Sequence, residues 1–263
     1  MVDVNVTQHF RPDEQAFVES VADVCSRVEN EYRPIQTDFL NPREMYIFET
    51  IANRFDAISY RFFGGYDNAE MKRALVYPDY FEPSVSDFGI AAFLIDYPKK
   101  FATLSHGQIL GTIMGSGINR NVIGDIITDG DTWQFICESE MSDFLQSQIE
   151  KIGKIKVKLK PIAVDQIIFP IDESEETGAT VSSLRLDTVI AEGFNVSRHH
   201  AKELVEGKAV RLNWETVERP DAEISVLDVI SVRHFGRIKI KEISGVTKKG
   251  KIRIVINLLR RNK

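Results

Sequence analysis

The chain of 263 residues has 43% hydrophobic residues and a formal net charge of −6, which suits a globular protein of about two domains, or three small ones. No run approaches the ~18 apolar residues of a membrane span, and the first residues lack the basic and apolar segments of a signal peptide, so we expect a cytoplasmic protein without a membrane contact. The two cysteines, Cys25 and Cys137, lie far apart. A disulfide framework or a zinc site is therefore not expected, and both thiols are predicted to pack as small apolar side chains.

Residues 1–71 are predicted to form a mostly helical N-terminal region. A first helix begins near Pro12, where proline and the two following acids suit a first turn, and apolar residues then recur at helical spacing. A second helix begins at Asn41-Pro42, a capping residue followed by proline. Residues 56–62 have the pattern of a strand. The aromatic residues around that strand favour a small core over a surface for stacking bases.

Residues 72–161 show an alternation of strands and helices that is typical of a second domain. The predicted order is a strand at 89–95, a helix at 105–114, strands at 122–128 and 132–137, a helix at 139–152 and a strand at 154–159. Asp129-Gly130-Asp131 joins the two middle strands as a hairpin turn. This βαββαβ order is that of the ferredoxin-like split unit, which RNA-recognition modules share with many enzymes and regulatory domains.

A polar, acidic linker is predicted at residues 162–182, and it separates two regions of opposite charge. Residues 183–263 hold 17 basic and 10 acidic side chains, so that 17 − 10 = +7. The preceding residues hold the other 16 basic and 29 acidic side chains, so that 16 − 29 = −13. This asymmetry indicates that the C-terminal part, and not the whole protein, faces a polyanion.

Two short helices and a small β-sheet are predicted in the basic domain. The helices cover residues 183–193 and 197–207, and strands follow at 210–213, 229–232, 237–240 and 252–259. Ser197 is expected to cap the second helix, and Arg198 and Lys202, four residues apart, flank the apolar face of that helix. A helix N-terminus beside two cations suits a phosphate group. Alternation along residues 237–241 places three further cations on one strand face.

The basic domain resembles the S4 RNA-binding domain. The resemblance covers about 60 residues and rests on Arg185-Leu186-Asp187, on Ser197-Arg198 with Lys202, Gly207, Val210 and Asn213, and on Val229–Val232. It departs at two turn positions where glycine is usual, Leu227 and His234. Because both positions lie in turns, the departures concern the geometry of hairpins more than binding.

Over essentially its full length the chain resembles the YlmH-like family. The motifs are residues 63–66 with Ala69-Glu70, and residues 115–120 followed by 123–126. The resemblance implies an α+β protein with a helical N-terminal region, a ferredoxin-like or RRM-like central domain and a C-terminal S4 domain, an αα-hairpin with a small β-sheet. It also implies an RNA-binding protein of the translation apparatus, associated with rRNA and tRNA at the large ribosomal subunit, with the rescue of stalled nascent chains and with cell division.

Pattern and resemblance together give a set of candidate RNA contacts, since phosphate contacts supply most of the affinity for nucleic acid. Within the basic domain they are Arg185, Ser197, Arg198, Lys202, Lys208, Arg211, Asn213, Arg237 and Lys239. Arg120 in the central domain is a further candidate, or it pairs with an acid within the protein, and Asp125 is the nearest acid that could orient it.

The alternative is an RNA-modifying enzyme, similar to a pseudouridine synthase or a methyltransferase, that uses an S4 domain to bind its substrate. The catalytic-domain motif of the synthases and the nucleotide-binding signatures of tyrosyl-tRNA synthetases, which also carry this module, are not recognisable. The glycines at 111, 115 and 117 do not form a dinucleotide or phosphate-binding loop. We therefore expect a non-enzymatic monomer with no cofactor and no metal.

Overall fold

Two compact units, Met1–Ile171 and Asp172–Lys263, divide the chain. The computed structural model describes residues 10–170 and 174–260. Among these residues no helix combines the length and the apolar composition that crossing a membrane requires. Cys25 and Cys137 are buried in two separate hydrophobic clusters of the first unit, which confirms that they pack as apolar side chains. Burial raises the pKa of each thiol to about 12.

The N-terminal domain packs two helices on a three-stranded sheet. The helices are α1, Gln15–Glu31, and α2, Pro42–Ala52, and the strands are β1, Ile35–Leu40, β2, Ile58–Phe63, and β3, Lys72–Pro78. Helix α1 buries the face that carries Val18 and Val21 because these residues recur at helical spacing. Asn41 caps α2 by accepting hydrogen bonds from the backbone N–H groups of Arg43 and Glu44. Both helices agree with the sequence prediction, to which the structure adds β1 and β3.

Strand β3 corrects the predicted boundary between the first two domains. A boundary after residue 71 would assign this strand to the central domain. In the structure β3 is the middle strand of the N-terminal sheet, and it pairs antiparallel with both β1 and β2. Its residues Ala74, Leu75 and Val76 are at most 1% exposed. Such a continuous buried run is typical of a central strand, and its hydrogen-bonding partners lie upstream of residue 71.

The central domain has the predicted ferredoxin-like order. Its elements are β4, Ile90–Asp96, α3, His106–Gly115, β5, Ile123–Thr128, β6, Trp133–Glu138, α4, Ser142–Gln148, the hairpin strands β7, Lys151–Ile152, and β8, Ile155–Lys156, and β9, Lys158–Ile162. The sheet has the antiparallel order β5-β6-β4-β9. The helix predicted at 139–152 is shorter, because residues 151–152 pair with 155–156.

The sheet face opposite the helices of the central domain is covered by other parts of the first unit. Gln134 and Ile136 on this face are 4% and 0% exposed. The amide of Gln134 donates to the carbonyl of Gln166 at 3.1 Å and accepts from the N–H of Ile168 at 2.9 Å. Gly65 lies against Ile136 so closely that a Cβ there would be 3.1 Å from its Cδ1. The sheet face on which RNA-recognition modules stack bases is therefore closed at β6.

The second unit is an αα-hairpin packed on one face of a six-stranded sheet. The strands are β10, Glu175–Val181, β11, Val210–Leu212, β12, Glu215–Thr216, β13, Val229–Val232, β14, Gly236–Val246, and β15, Ile252–Arg260, and the helices are α5, Leu186–Phe194, and α6, Arg198–Glu206. The sheet order is β10-β15-β14-β13-β11-β12. Apolar residues of both helices form one core with Ile230, Ile238 and Ile256.

The acidic linker predicted at 162–182 is shorter in the structure, because part of that range forms strand β10. Strand β9 extends to Ile162, and β10 pairs with β15 over seven residues from Glu175 to Val181. The polar composition of β10 reflects its place at the edge of the sheet, where most of its residues are exposed. Residues 171–173 of the predicted linker, which include Asp172 and Glu173, lie outside the described residues.

Candidate RNA interface

Arg185 and Arg198 lie beside one buried carboxylate, that of Asp187. Arg185 precedes α5 as its N-cap and donates through Nε and Nη2 to the two carboxylate oxygens, at 3.2 and 3.0 Å. Arg198, the first residue of α6, donates through Nε to Oδ2 at 3.2 Å. Asp187 is 2% exposed, whereas the two arginine side chains are 41% and 54% exposed. The buried carboxylate thus fixes both guanidinium groups, which remain accessible to solvent.

The cluster of Arg185, Arg198 and Asp187 suits the binding of an anion, because its cations outnumber its buried acid. Burial raises the pKa of Asp187, but the hydrogen bonds from Arg185, Arg198 and Thr188 outweigh burial and hold the pKa below its ordinary value. The carboxyl is therefore ionised at neutral pH and offsets one of the two guanidinium charges, while Asp221, which pairs with Arg219, also interacts electrostatically with Arg185. Both arginines lie at helix N-termini, where the helix dipoles add positive potential.

The other predicted contacts around α6 are positioned by local pairs. Ser197 caps α6 by accepting from the N–H of His200 at 3.1 Å, as its place before the helix predicts. Lys202 pairs with Glu206 of the next turn, with 3.5 Å between Nζ and Oε1. Lys208 pairs with Glu218 at 2.8 Å. The spacing of Arg198 and Lys202 predicted that they act as a pair. In the structure both side chains are about half exposed, but each has its own acidic partner, Asp187 for Arg198 and Glu206 for Lys202.

A second group of predicted contacts lies on the sheet face opposite the helices. Arg211 on β11 and Arg237 on β14 are both register partners of Ser231 on β13, and the three side chains form a row across the sheet. Lys239 is two residues along from Arg237 and therefore on the same face. The structure thus divides the predicted residues between the helix ends and the outer face of the sheet.

Two adjacent residues in the turn between β11 and β12 have different roles. Asn213 donates through Nδ2 to Asp228 Oδ1 at 2.8 Å and accepts from the N–H of Val229 at 2.9 Å, so it ties the turn to β13. Trp214 follows it, and the guanidinium carbon of Arg237 lies 5.6 Å from the centroid of the indole ring. Trp214 could not be predicted from the sequence, because a lone aromatic residue carries no periodic signal.

Arg120 belongs to the first unit and is partly buried. Its Nη1 donates to the carbonyl oxygen of Ile123. Asp125, proposed from the sequence as the acid that orients it, instead accepts from the hydroxyl of Tyr66 and the N–H of Glu70, each at 2.7 Å, and from the N–H of Met71 at 3.1 Å. Asp125 therefore fixes the turn that precedes β3, and burial raises its pKa.

A cleft of about 260 Å³ opens beside Arg198 in the second unit. It lies between α5 and β10, and polar and cationic side chains, among them Thr188, Asn195 and Lys251, line it together with Glu192. Within the described residues no group of three or more histidine, cysteine, aspartate or glutamate side chains is arranged to hold a metal ion. The polar lining and the two cations suit a phosphate or a ribose.

Family models match three consecutive parts of the chain. They are described as "YlmH, N-terminal" over residues 13–81, "Putative RNA-binding domain in YlmH" over 83–166 and "S4 domain" over 184–230. The first match includes β3, in agreement with the pairing of that strand in the N-terminal sheet. The third match covers both helices, β11, β12 and the start of β13, which confirms the resemblance of the basic domain to the S4 domain.

Two similar proteins support the family match, and one of them aligns with almost the whole chain. A solved structure called "Cell division protein ylmH from Streptococcus pneumoniae" is 32% identical, with a TM-score of 0.54, and the alignment covers 61% of this chain and 98% of that one. The "Ribosome-associated protein quality control protein P2" of Bacillus subtilis (strain 168) is 38% identical over 250 residues, which are 95% of this chain and 97% of that protein. On this identity over nearly the full length of both proteins, the chain belongs to the YlmH family.

Proposed function

We propose that this protein is a non-enzymatic RNA-binding protein that associates with the ribosome and binds structured RNA through its S4 domain. The observation that carries the proposal is the pair of half-exposed guanidinium groups, Arg185 and Arg198, fixed on buried Asp187 at two helix N-termini. Arginine is the side chain best suited to bind phosphate through two parallel hydrogen bonds. A-form RNA is recognised through shape, phosphates and hydroxyls, and a rigid cationic surface of this kind fits that mode.

The ribosome is proposed as the setting because of the Bacillus subtilis relative, whose name describes a ribosome-associated quality-control protein. Within that setting we propose rRNA of the large subunit, with tRNA nearby, as the RNA partner, and the rescue of stalled nascent chains as the process. A role in cell division is supported by the name of the Streptococcus pneumoniae relative. The first unit is proposed to position the S4 domain, because the sheet face of its central domain is covered at Gln134 and Ile136.

The test is the salt dependence of RNA binding by the full-length double variant Arg198→Ala/Lys202→Ala. Removing two phosphate-binding cations should weaken binding to a structured rRNA fragment and reduce the slope of log K against log salt by about 1 to 2. The matched control is Lys248→Ala/Lys249→Ala, which removes two exposed cations from the turn between β14 and β15 of the same unit. An unchanged affinity and slope in the folded Arg198→Ala/Lys202→Ala protein would contradict RNA binding by this part of the S4 domain.

Two further measurements separate the finer claims. Co-sedimentation with isolated small and large ribosomal subunits should show retention on the large subunit, and equal retention on both would refute the choice of subunit. Mass spectrometry of rRNA incubated with the purified protein and a methyl donor should detect no new modification. Recovery of pseudouridine or a methylated base would favour the RNA-modifying enzyme instead.

A further inference from the structure

Trp214 has a backbone conformation that a large side chain rarely adopts. Asn213 and Trp214 are the two central residues of the turn between β11 and β12, whose flanking residues Leu212 and Glu215 pair with each other. Their φ angles are +48° and +70°, so both are left-handed, as in a type I′ hairpin turn. That turn favours asparagine followed by glycine, since glycine has no Cβ to clash. Asparagine fits its position, but a tryptophan at the second position is strained.

Packing in the core does not account for this strain. The core between the sheet and the two helices, as far as the described residues form it, does not include Trp214. The indole is partly exposed and lies beneath the guanidinium group of Arg237, on the sheet face opposite the helices. Strained residues that fold packing does not require are concentrated at binding sites, where the strain holds a side chain in a functional position.

The surroundings of the indole indicate what the ring could bind. Arg211 and Arg237 belong to one row across the outer face, and Lys239 follows on the same strand. Glu215 is the nearest acid in the sequence. It pairs with Leu212, which in turn pairs with Ile230 of the core beneath the helices. Because paired residues lie on the same face of a sheet, Glu215 points away from the outer face. An aromatic ring covered by a guanidinium group and flanked by cations is the arrangement with which proteins stack unpaired bases and hold the adjoining phosphates.

We propose that Trp214 and Arg237 form a stacking platform for an unpaired RNA base, with Arg211 and Lys239 as contacts to the neighbouring phosphates. The proposal rests on RNA binding by the S4 domain and adds to it a preference for RNA that presents an unpaired base. The helix-end cluster at Asp187 would then bind the phosphates of paired RNA, and the outer face of the sheet would bind a base outside the duplex.

Fluorescence of Trp214 tests the platform directly, because the chain contains two tryptophans. In a full-length Trp133→Phe protein, which leaves Trp214 as the reporter, we compare two RNA hairpins that are closed by a non-nucleotide linker and so have no loop bases. One carries an adenosine bulge, and the other is the same hairpin fully paired. The bulged hairpin should quench the fluorescence, since a base stacks on the ring, and the paired hairpin should bind without quenching.

Substitutions of Trp214 distinguish the contribution of the indole ring to RNA affinity from the effect of backbone strain on stability. Trp214→Gly should lower the affinity for the bulged hairpin about tenfold, the loss of ~1.4 kcal/mol of base stacking. It should leave the affinity for the paired hairpin unchanged and should not lower the thermal midpoint, because glycine relieves the backbone. Trp214→Phe, which keeps a ring, should retain most of the affinity. His234→Gly is the matched control, since it replaces another left-handed residue, of φ +70°, at the opposite end of the strands, and it should leave affinity and quenching unchanged.

The outcomes distinguish failure of the platform from failure of RNA binding. Binding of both hairpins without quenching, and equally well by Trp214→Gly, would overturn the platform and leave the proposed function intact. Absence of binding to either hairpin by the wild-type protein would overturn both. A lower thermal midpoint of Trp214→Gly would assign the ring a structural role. If Trp214→Gly bound naked RNA normally but lost ribosome co-sedimentation, the ring would contact a ribosomal protein and the RNA platform would be refuted.

Discussion

Arg198 at the start of α6 lies 3.2 Å from the carboxylate of Asp187 in the first turn of α5, and this contact joins the two helix N-termini of the S4 domain. Asp187 is almost fully buried, so its carboxylate oxygens are not accessible to an approaching ligand. The acid therefore orients Arg185 and Arg198 and offsets one of their two charges, and the guanidinium groups stay exposed. Such a fixed pair has less conformational entropy to lose on binding than two free arginines.

Asp187→Asn should destabilise the protein by about 2 kcal/mol at pH 7, because the variant loses charge-assisted hydrogen bonds from two arginines and keeps a buried polar group. Urea unfolding measures the difference in the free energy of unfolding. Glu218→Gln is the matched control, since Glu218 is more than half exposed and pairs with Lys208 in the same unit. Its loss should change the free energy of unfolding by less than about 1 kcal/mol. Equal effects of the two variants would contradict the anchoring role of Asp187.

The difference in stability between the wild-type protein and Asp187→Asn should also depend on pH. The folded-state pKa of Asp187 lies below its ordinary value, so its stabilising contribution is fully present above the pKa of about 3.9 in the unfolded chain. That contribution is lost as the pH falls through the lower folded-state pKa. The stabilities of the wild-type protein and Asp187→Asn should therefore differ by a constant amount near neutral pH and converge below about pH 4. A difference that persists unchanged in acid would refute the assignment.

Much of the fold could be predicted because it follows from local patterns. Both helices of the S4 domain have apolar residues at helical spacing, and α6 also has a capping serine. The βαββαβ order of the central domain follows from alternating apolar runs. Strand β10 could not be predicted, because its sequence Glu-Glu-Thr-Gly-Ala-Thr-Val is polar and its pairing partner, β15, comes about 75 residues later. The place of β3 in the first sheet likewise depends on pairing with β1, which spacing along the chain does not reveal.

The candidate site was predictable to a similar extent. The cap at Ser197 depends on residues three apart, so it could be predicted from sequence. The convergence of Arg185 and Arg198 on Asp187 requires the turn between two helices, and spacing within α6 predicted Lys202 as the closer companion of Arg198. The turns at Leu227 and His234 form without the usual glycine, with φ of +68° and +70°. Both turns therefore form at positions where the sequence departs from the S4 pattern, and their backbones carry the strain.

Asn213→Gly should lower stability by about 1 kcal/mol and leave the RNA affinity of the folded protein unchanged. Glycine keeps the left-handed turn but loses the hydrogen bonds to Asp228 and from Val229. Asn213→Ala should cost about 1 kcal/mol more, since alanine adds left-handed strain. Chemical unfolding and binding titrations on the same samples test both points. A loss of affinity in Asn213→Gly without a loss of stability would instead support the direct RNA contact expected from sequence.

Gly193→Ala should destabilise the S4 domain by about 1 to 3 kcal/mol, because α5 passes β14 too closely for a side chain. A Cβ at residue 193 would lie 2.5 Å from Cδ1 of Ile238, a fully buried residue at the centre of the core. Ile238→Val removes that atom and alone should cost about 1 kcal/mol. The double variant should therefore be more stable than the sum of the two losses predicts, by a coupling that unfolding of all four proteins measures. Strict additivity would show that the core relaxes around the added methyl group without using the space at Ile238.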